Sequence, residues 1–178
     1  MLALALAPGP LRLLCLGAHP DDIEIGCGGT VLRLLAEHGV RRVVLPRELP
    51  LSRIRALRAS NPEMELEVFI HGALCYSFSG LCLASHALTG RSGNRGECAQ
   101  ICRGRFRRDG GAGEGYYFSS RDLFAGRDVL QLADAGVDAL KIEGRMKSPE
   151  YVFHAVRLYR EILDRGEELP DGAYRDLA

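Results

Sequence analysis

Ala135-Gly136-Val137-Asp138-Ala139-Leu140-Lys141-Ile142-Glu143-Gly144-Arg145-Met146-Lys147-Ser148-Pro149-Glu150-Tyr151-Val152 reads as a strand, a charged turn and the start of a helix. Val137 to Ile142 is the strand, and Ser148-Pro149 opens the helix. A serine hydroxyl at the N-cap can accept a first-turn amide, and proline fits the next position because its missing N–H would have no helical partner. Val152, Ala155, Val156, Tyr159 and Ile162 then recur at helical spacing, which predicts one apolar face packed back on the strand.

Outward from this βα unit the alternation continues. Leu123 to Ala135 predicts a helix and Tyr116 to Phe118 a strand; upstream, Arg42 to Leu45 and Leu66 to Ile70 read as strands around a helix over Leu51 to Ala59. At the amino end an apolar run from Leu11 to Leu16 ends in Gly17, and Thr30 to Glu37 carries helical spacing at Val31, Leu34 and Leu35 before Gly39. Strands alternating with helices imply an α/β fold with a parallel sheet. Everything after Gly166 reads as a polar tail.

The chain has 178 residues, 47% hydrophobic and 26% charged, enough for one ordinary core and unlike a disordered segment. Its 23 basic and 23 acidic residues cancel, so no whole-molecule field draws it to nucleic acid or membrane. Charge is instead local: Arg91, Arg95, Arg103, Arg105, Arg107 and Arg108 face only Glu97 and Asp109 over residues 91–109. The apolar first seven residues lack a basic flank and stop at Pro8-Gly9-Pro10, so they predict neither a signal peptide nor a membrane span. A cytoplasmic protein is expected.

Residues 72–114 are glycine-rich with little apolar periodicity, long for a connection inside a compact domain. They carry Cys75, Cys82, Cys98 and Cys102 in the spacing Cys-x6-Cys-x15-Cys-x3-Cys. In a reducing compartment, clustered thiols point to metal or redox chemistry rather than to a disulfide framework. A bound ion or cluster would also close a loop that apolar burial cannot. Four thiolates suit an iron–sulfur cluster, but the spacing matches neither a paired zinc motif nor a bacterial ferredoxin run, so spacing alone does not choose between zinc and iron.

Glu67 to Ser85, Thr89 to Gln100 and Cys102-Arg103 resemble the signature region of the U32 peptidase family, also called collagenase-like proteases. Val43 to Leu49 and the opening stretch through Val152 fit the same family, so the resemblance spans about residues 40–165. It implies a (β/α) barrel with chemistry at the carboxyl ends of the strands. A complete barrel typically needs about 250 residues, so residues 41–178 are expected to form the carboxyl-terminal part of a TIM-type barrel.

The family carries a peptidase label without settled catalytic residues. Some relatives bind a four-iron cluster and serve in hydroxylation of transfer or ribosomal RNA or in quinone synthesis. The resemblance thus implies a protease or an iron–sulfur RNA-hydroxylation enzyme, with Cys75, Cys82, Cys98 and Cys102 as [4Fe–4S] ligands. Some relatives take one ligand from further downstream, where this chain has no cysteine. The strand ends supply Glu48, Glu143 and Lys141 as catalytic candidates and Arg47, His71, Arg145 and Lys147 as candidates for binding an anionic substrate. The basic run suits RNA phosphates, with Tyr76, Phe78 and Phe106 as stacking partners; a peptide is the other substrate implied.

A second resemblance covers only residues 11–39. Ala18-His19-Pro20-Asp21-Asp22-Ile23-Glu24-Ile25-Gly26-Cys27-Gly28-Gly29-Thr30 is similar to the opening of the LmbE/PIG-L deacetylases. By position it implies His19 and Asp22 as zinc ligands and Asp21 as general base. The later histidine motif that completes such a site does not occur, and two ligands rarely hold a catalytic zinc. Residues 1–40 are therefore expected to be a short Rossmann-like strand-turn-helix unit, with zinc-dependent N-deacetylation as the alternative activity. Two partial families in one chain imply a fusion or an inactive truncated product. Open strand edges would then be covered by a second copy or by a missing barrel half on another chain.

Overall fold

The computed structural model describes residues 39, 41–79, 81–93, 97–107, 110, 113–170 and 172–174. The strand expected over Leu11 to Leu16, the helix over Thr30 to Glu37, and His19, Asp21 and Asp22 lie outside the described residues, as does most of the amino-terminal unit.

The centre of the sheet is β2 (Glu65–Ala73), flanked in parallel by β1 (Arg42–Val44) and β6 (Ala139–Glu143). Leu66, Val68 and Ile70 are buried at every second position, as a strand with one apolar face requires. Against that face pack Ile54 of α1 (Leu51–Ser60), Val129 and Leu132 of α3 (Val129–Asp134), and Leu158, Tyr159 and Ile162 of α4 (Pro149–Arg165). Arg58 ties α1 to the turn before β6. It bonds the carbonyls of Gly136 and Met64, both at 2.8 Å, and pairs with Asp138, which also accepts the Leu66 amide at 2.8 Å. The parallel α/β arrangement expected from the alternation is present. Among the described residues the four-stranded sheet stays open and does not close into a barrel.

Several local expectations are corrected. Tyr117 and Phe118 lie in a turn rather than a strand; the strand is β5 (Asp122–Phe124), which takes Leu123 out of the predicted helix. β1 pairs only Glu65 to Glu67, leaving the far end of that edge of β2 open, and β5 fills it antiparallel through His71, Gly72 and Ala73. Gly126, at φ +51°, and a 3₁₀ turn over Gly126–Asp128 then delay the helix to Val129. In α4 the buried stripe is Ala155, Leu158, Tyr159 and Ile162, while Val156 faces solvent. The segment after Gly166 is no polar tail at its anchors: Leu169 and Tyr174 are buried, and the Leu169 amide donates to the Tyr174 hydroxyl at 3.1 Å.

One irregularity decides what faces what. The β2–β6 register runs Phe69 opposite Lys141 and then His71 opposite Ile142, so Ile70 is an extra residue, a β-bulge. Strict alternation would put His71 beside Glu67 and Phe69. The bulge turns it to the helix side with Ile142. There His71 is 2% exposed, its Nδ1 lies 3.1 Å from the Tyr159 hydroxyl, and Phe124, Tyr151 and Tyr159 ring it at 5.3–5.6 Å.

Candidate functional site

Opposite the helices, the sheet presents Glu67, Phe69, Lys141 and Glu143, with Arg47 arriving from the end of β1. The Arg47 guanidinium lies 3.9 Å from the centre of the Phe69 ring, a cation–π contact. Burial pulls its pKa down, opposed by the charges of Glu143, Cys75, Glu48 and Cys98. Lys141 pairs with Glu67 at 2.7 Å and sits 5.3 Å from the same ring.

The cysteine loop is fastened over this face by Glu48 and Glu143, the two carboxylates among the catalytic candidates. Glu48 Oε1 accepts the Ser79 amide at 2.6 Å. Glu143 Oε2 accepts from Gln100 Nε2 at 3.0 Å, and its Oε1 accepts the Arg145 amide at 2.8 Å. Gln100 Nε2 also reaches the Arg145 carbonyl at 3.3 Å, so the residue between Cys98 and Cys102 is locked to the end of β6. Its backbone is left-handed, φ +53°, a conformation that costs a non-glycine residue energy and persists only where the surroundings enforce it.

Cys75 lies within electrostatic reach of Cys82 and Cys102, and Arg47 within reach of Cys75 and Cys98. Cys75, Cys82, Cys98 and Cys102 are all free. Burial raises the Cys75 pKa; a hydrogen bond from the Ser77 backbone and the Arg47 charge lower it, while the Cys82 and Cys102 thiolates raise it. Cys98 Sγ accepts from the Gln100 amide at 3.4 Å and from Ser85 Oγ at 3.6 Å, and Ser85 Oγ in turn accepts the Ala99 amide at 2.9 Å. Ser85 begins to make sense here: it is 3% exposed at the start of the short helix α2 (Ala84–Thr89). N–H and O–H donors aimed at sulfur are what metal-bound thiolates use. Arg103 Nε, next to Cys102, is buried without an acceptor among the described residues. No three His, Cys, Asp or Glu side chains among the described residues stand close enough to hold a single metal ion. A four-iron cluster is several ångströms across, and its ligands stand correspondingly further apart. Donor chemistry, free thiols and a spare buried N–H suit that group.

Asp122, which the sequence reading passed over, is the second hub. It accepts from Lys147 Nζ at 2.6 Å and from the Tyr151 hydroxyl at 3.3 Å, and pairs with Arg103 at 2.8 Å. Burial pushes its carboxyl up, but Lys147 and Arg103 outweigh burial and hold it below the usual range. Tyr151 is pushed up to about 12 by burial and then by the Asp122 charge. Arg103 Nη2 donates to the Leu74 carbonyl at 3.3 Å, which also accepts from Ser120 Oγ at 3.0 Å, so the segments bearing Cys75 and Cys102 are joined. A signal was present: a run of arginines this dense needs a carboxylate, and Asp122 is the next acid of the chain after Glu114.

Arg47, Glu48, Glu143, Arg145, Lys147 and the four cysteines are thus brought to one end of the sheet. Lys141 lies lower on that face, in its pair with Glu67, and the bulge takes His71 to the other side.

The sequence profile of Peptidase family U32 matches residues 29–175. The chain belongs to this family. His19, Asp21 and Asp22 lie upstream of the matched residues. Among U32-like relatives, the chain is 42% identical over 137 residues to the 23S rRNA 5-hydroxycytidine C2501 synthase of Escherichia coli, covering 74% of this chain and 21% of the relative. It is 39% identical over 139 residues to the tRNA hydroxylation protein P1 of Bacillus subtilis, covering 72% of this chain and 33% of that protein. It is 37% identical over 139 residues to a protein named collagenase from Porphyromonas gingivalis, covering 68% of this chain and 34% of that protein. The chain therefore spans about a fifth to a third of the length of these relatives. No solved structure matches it.

Proposed function

We propose that this chain is the cysteine-bearing part of an iron–sulfur protein of RNA hydroxylation, with Cys75, Cys82, Cys98 and Cys102 as the ligands of a [4Fe–4S] cluster. The observation that supports this reading is four free thiols in one loop, Cys75 near Cys82 and Cys102 and Arg47 near Cys75 and Cys98, with hydrogen-bond donors already turned toward Cys98. The names of the rRNA and tRNA relatives supply the substrate class. When bound, the cluster supplies one-electron chemistry. Arg47 supplies a fixed positive charge beside the thiolates. Arg145 and Lys147 lie where a phosphate or other anionic group would approach, Lys147 sharing Asp122 with Arg103. Glu48 and Glu143 hold the loop and are available as bases only if those hydrogen bonds are exchanged.

In the same reading the open sheet of residues 41–178 is the carboxyl-terminal part of a (β/α) barrel, joined near residue 40 to a separate amino-terminal unit. A peptide substrate is the second reading, favoured by the collagenase-named relative. Under it Glu143 and Glu48 act as bases, and activity survives loss of the thiols.

Anaerobic purification with iron and sulfide analysis tests the proposal. About four irons and four sulfides per chain, lost in Cys75→Ser and in Cys98→Ser, are expected. Protein that is iron-free, or that holds zinc indifferent to both substitutions, overturns it.

A further inference from the structure

The geometry points to a base-stacking platform for single-stranded RNA built from Tyr76, Phe106 and Phe118, with Arg105 and Arg107 receiving the phosphates. This inference rests on the RNA reading above and adds the surface that would hold the strand. Phe118 is the middle ring: Tyr76 meets it edge-on at 5.3 Å and Phe106 at 4.9 Å. A purely structural cluster would bury its rings, yet Tyr76 is 62% exposed and Phe118 40%. Contiguous exposed aromatic surface of this kind marks an interaction site.

The rings are also held in place. Tyr76 follows Cys75, and the neighbouring Leu74 carbonyl is pinned by Arg103 and Ser120. Phe106 sits on β3 (Phe106–Arg107), which pairs antiparallel with β4 (Glu114–Gly115), so the third ring is carried by a small hairpin. Fixed rings lose little freedom on binding. Charge selects the occupant. Arg105 and Arg107 flank Phe106, and Arg105 meets Glu114 only at 3.7 Å, with both side chains more than half exposed. A pair that long and that wet is readily exchanged for a phosphate. Aromatic faces beside arginines suit nucleobases strung on a phosphate backbone, a strand that the platform would deliver beside Cys75.

The test is fluorescence anisotropy with a labelled single-stranded RNA dodecamer on the full chain, with iron content measured on the same samples. Tyr76→Ala and Phe118→Ala are expected to weaken binding by roughly tenfold to a hundredfold. Tyr76→Trp should restore it, and Phe153→Ala, an equally exposed ring on α4, should leave it unchanged. Arg105→Gln with Arg107→Gln should lower the slope of log affinity against log salt by about 1.4, near 0.7 per phosphate contact. Wild-type affinity in Tyr76→Ala and Phe118→Ala at unchanged iron content overturns the platform and leaves the RNA reading standing. Wild-type protein with no affinity for RNA overturns both. Loss of affinity that Tyr76→Trp fails to rescue assigns the rings to loop folding and also overturns the platform.

Discussion

His71 shows how far one backbone event can move a side chain. Its burial favours the neutral imidazole and lowers its pKa below the ordinary 6.5, with Asp122 opposing and Lys147 assisting. The sign follows from linkage: below about 6.5 the unfolded chain takes up the proton first, so stability falls as pH drops through that value. The loss continues until the folded imidazole also protonates. Urea midpoints near pH 7.5 and near pH 5.5 should separate in the wild type and converge in His71→Phe; equal separation in the variant would remove His71 as the cause. Gly72 is constrained for a different reason. At φ +110° it lies where a Cβ would stand 2.2 Å from the Glu143 carbonyl oxygen, so β2 and β6 approach there as only glycine permits. Gly72→Ala should cost about 2–4 kcal/mol from overpacking plus backbone strain, read as a lowered urea midpoint with unchanged slope. Strand-end charges and cysteines could be put forward from the sequence because their residue types carry chemistry wherever they stand. Gln100 could not, because it acquires its role from Glu143 and Arg145, more than forty residues away.

Among the elements, those whose stability is local matched their reading closely. α4 starts at Pro149 with Ser148 as N-cap, its hydroxyl accepting the Tyr151 amide at 3.2 Å, and ends at Gly166 in the left-handed conformation. Ser148→Ala should therefore lower stability by about 1 kcal/mol, seen as a fall in Tm with the iron content unaltered. β1, α1, β2 and β6 also fall where the apolar pattern puts them, within a few residues. The segment between Tyr116 and Ala135 did not. Its apolar residues satisfy a helical period, yet the vacant edge of β2 recruits Leu123 into β5, and edge pairing outweighs a propensity worth tenths of a kcal/mol per residue. No sequence window contains that competition, since the vacancy exists only because β1 is short.

Taken whole, the molecule divides into a part held by apolar burial and a part that is not. Every buried hydrophobic residue of the described core lies at or before Ala73 or at or after Val129. Between them the polar side chain of Ser85 is buried, and the loop is fixed by hydrogen bonds and ion pairs: Glu48 to Ser79, Gln100 to Glu143, Arg103 to Asp122. Such contacts are few for a loop of this length, so ligation of the four cysteines would supply much of what holds residues 75–102 together. If the proposed cluster is bound, removing it should then unfold the loop without unfolding the sheet. Hydrogen exchange on cluster-loaded protein, and on the same protein after chelation and oxidation, should show protection lost across 75–107. Protection should remain in β2, β6 and α4, whose amides sit over the buried stripe of Leu66, Ile70, Leu158 and Ile162. Cys75→Ser should reproduce the stripped pattern without treatment. Equal loop protection in loaded and stripped protein would show that the hydrogen-bonded staples suffice on their own, and the thiols would lose their structural role. Loss of protection in the sheet as well would mean that loop and core unfold as one cooperative unit, which the absence of shared apolar burial argues against.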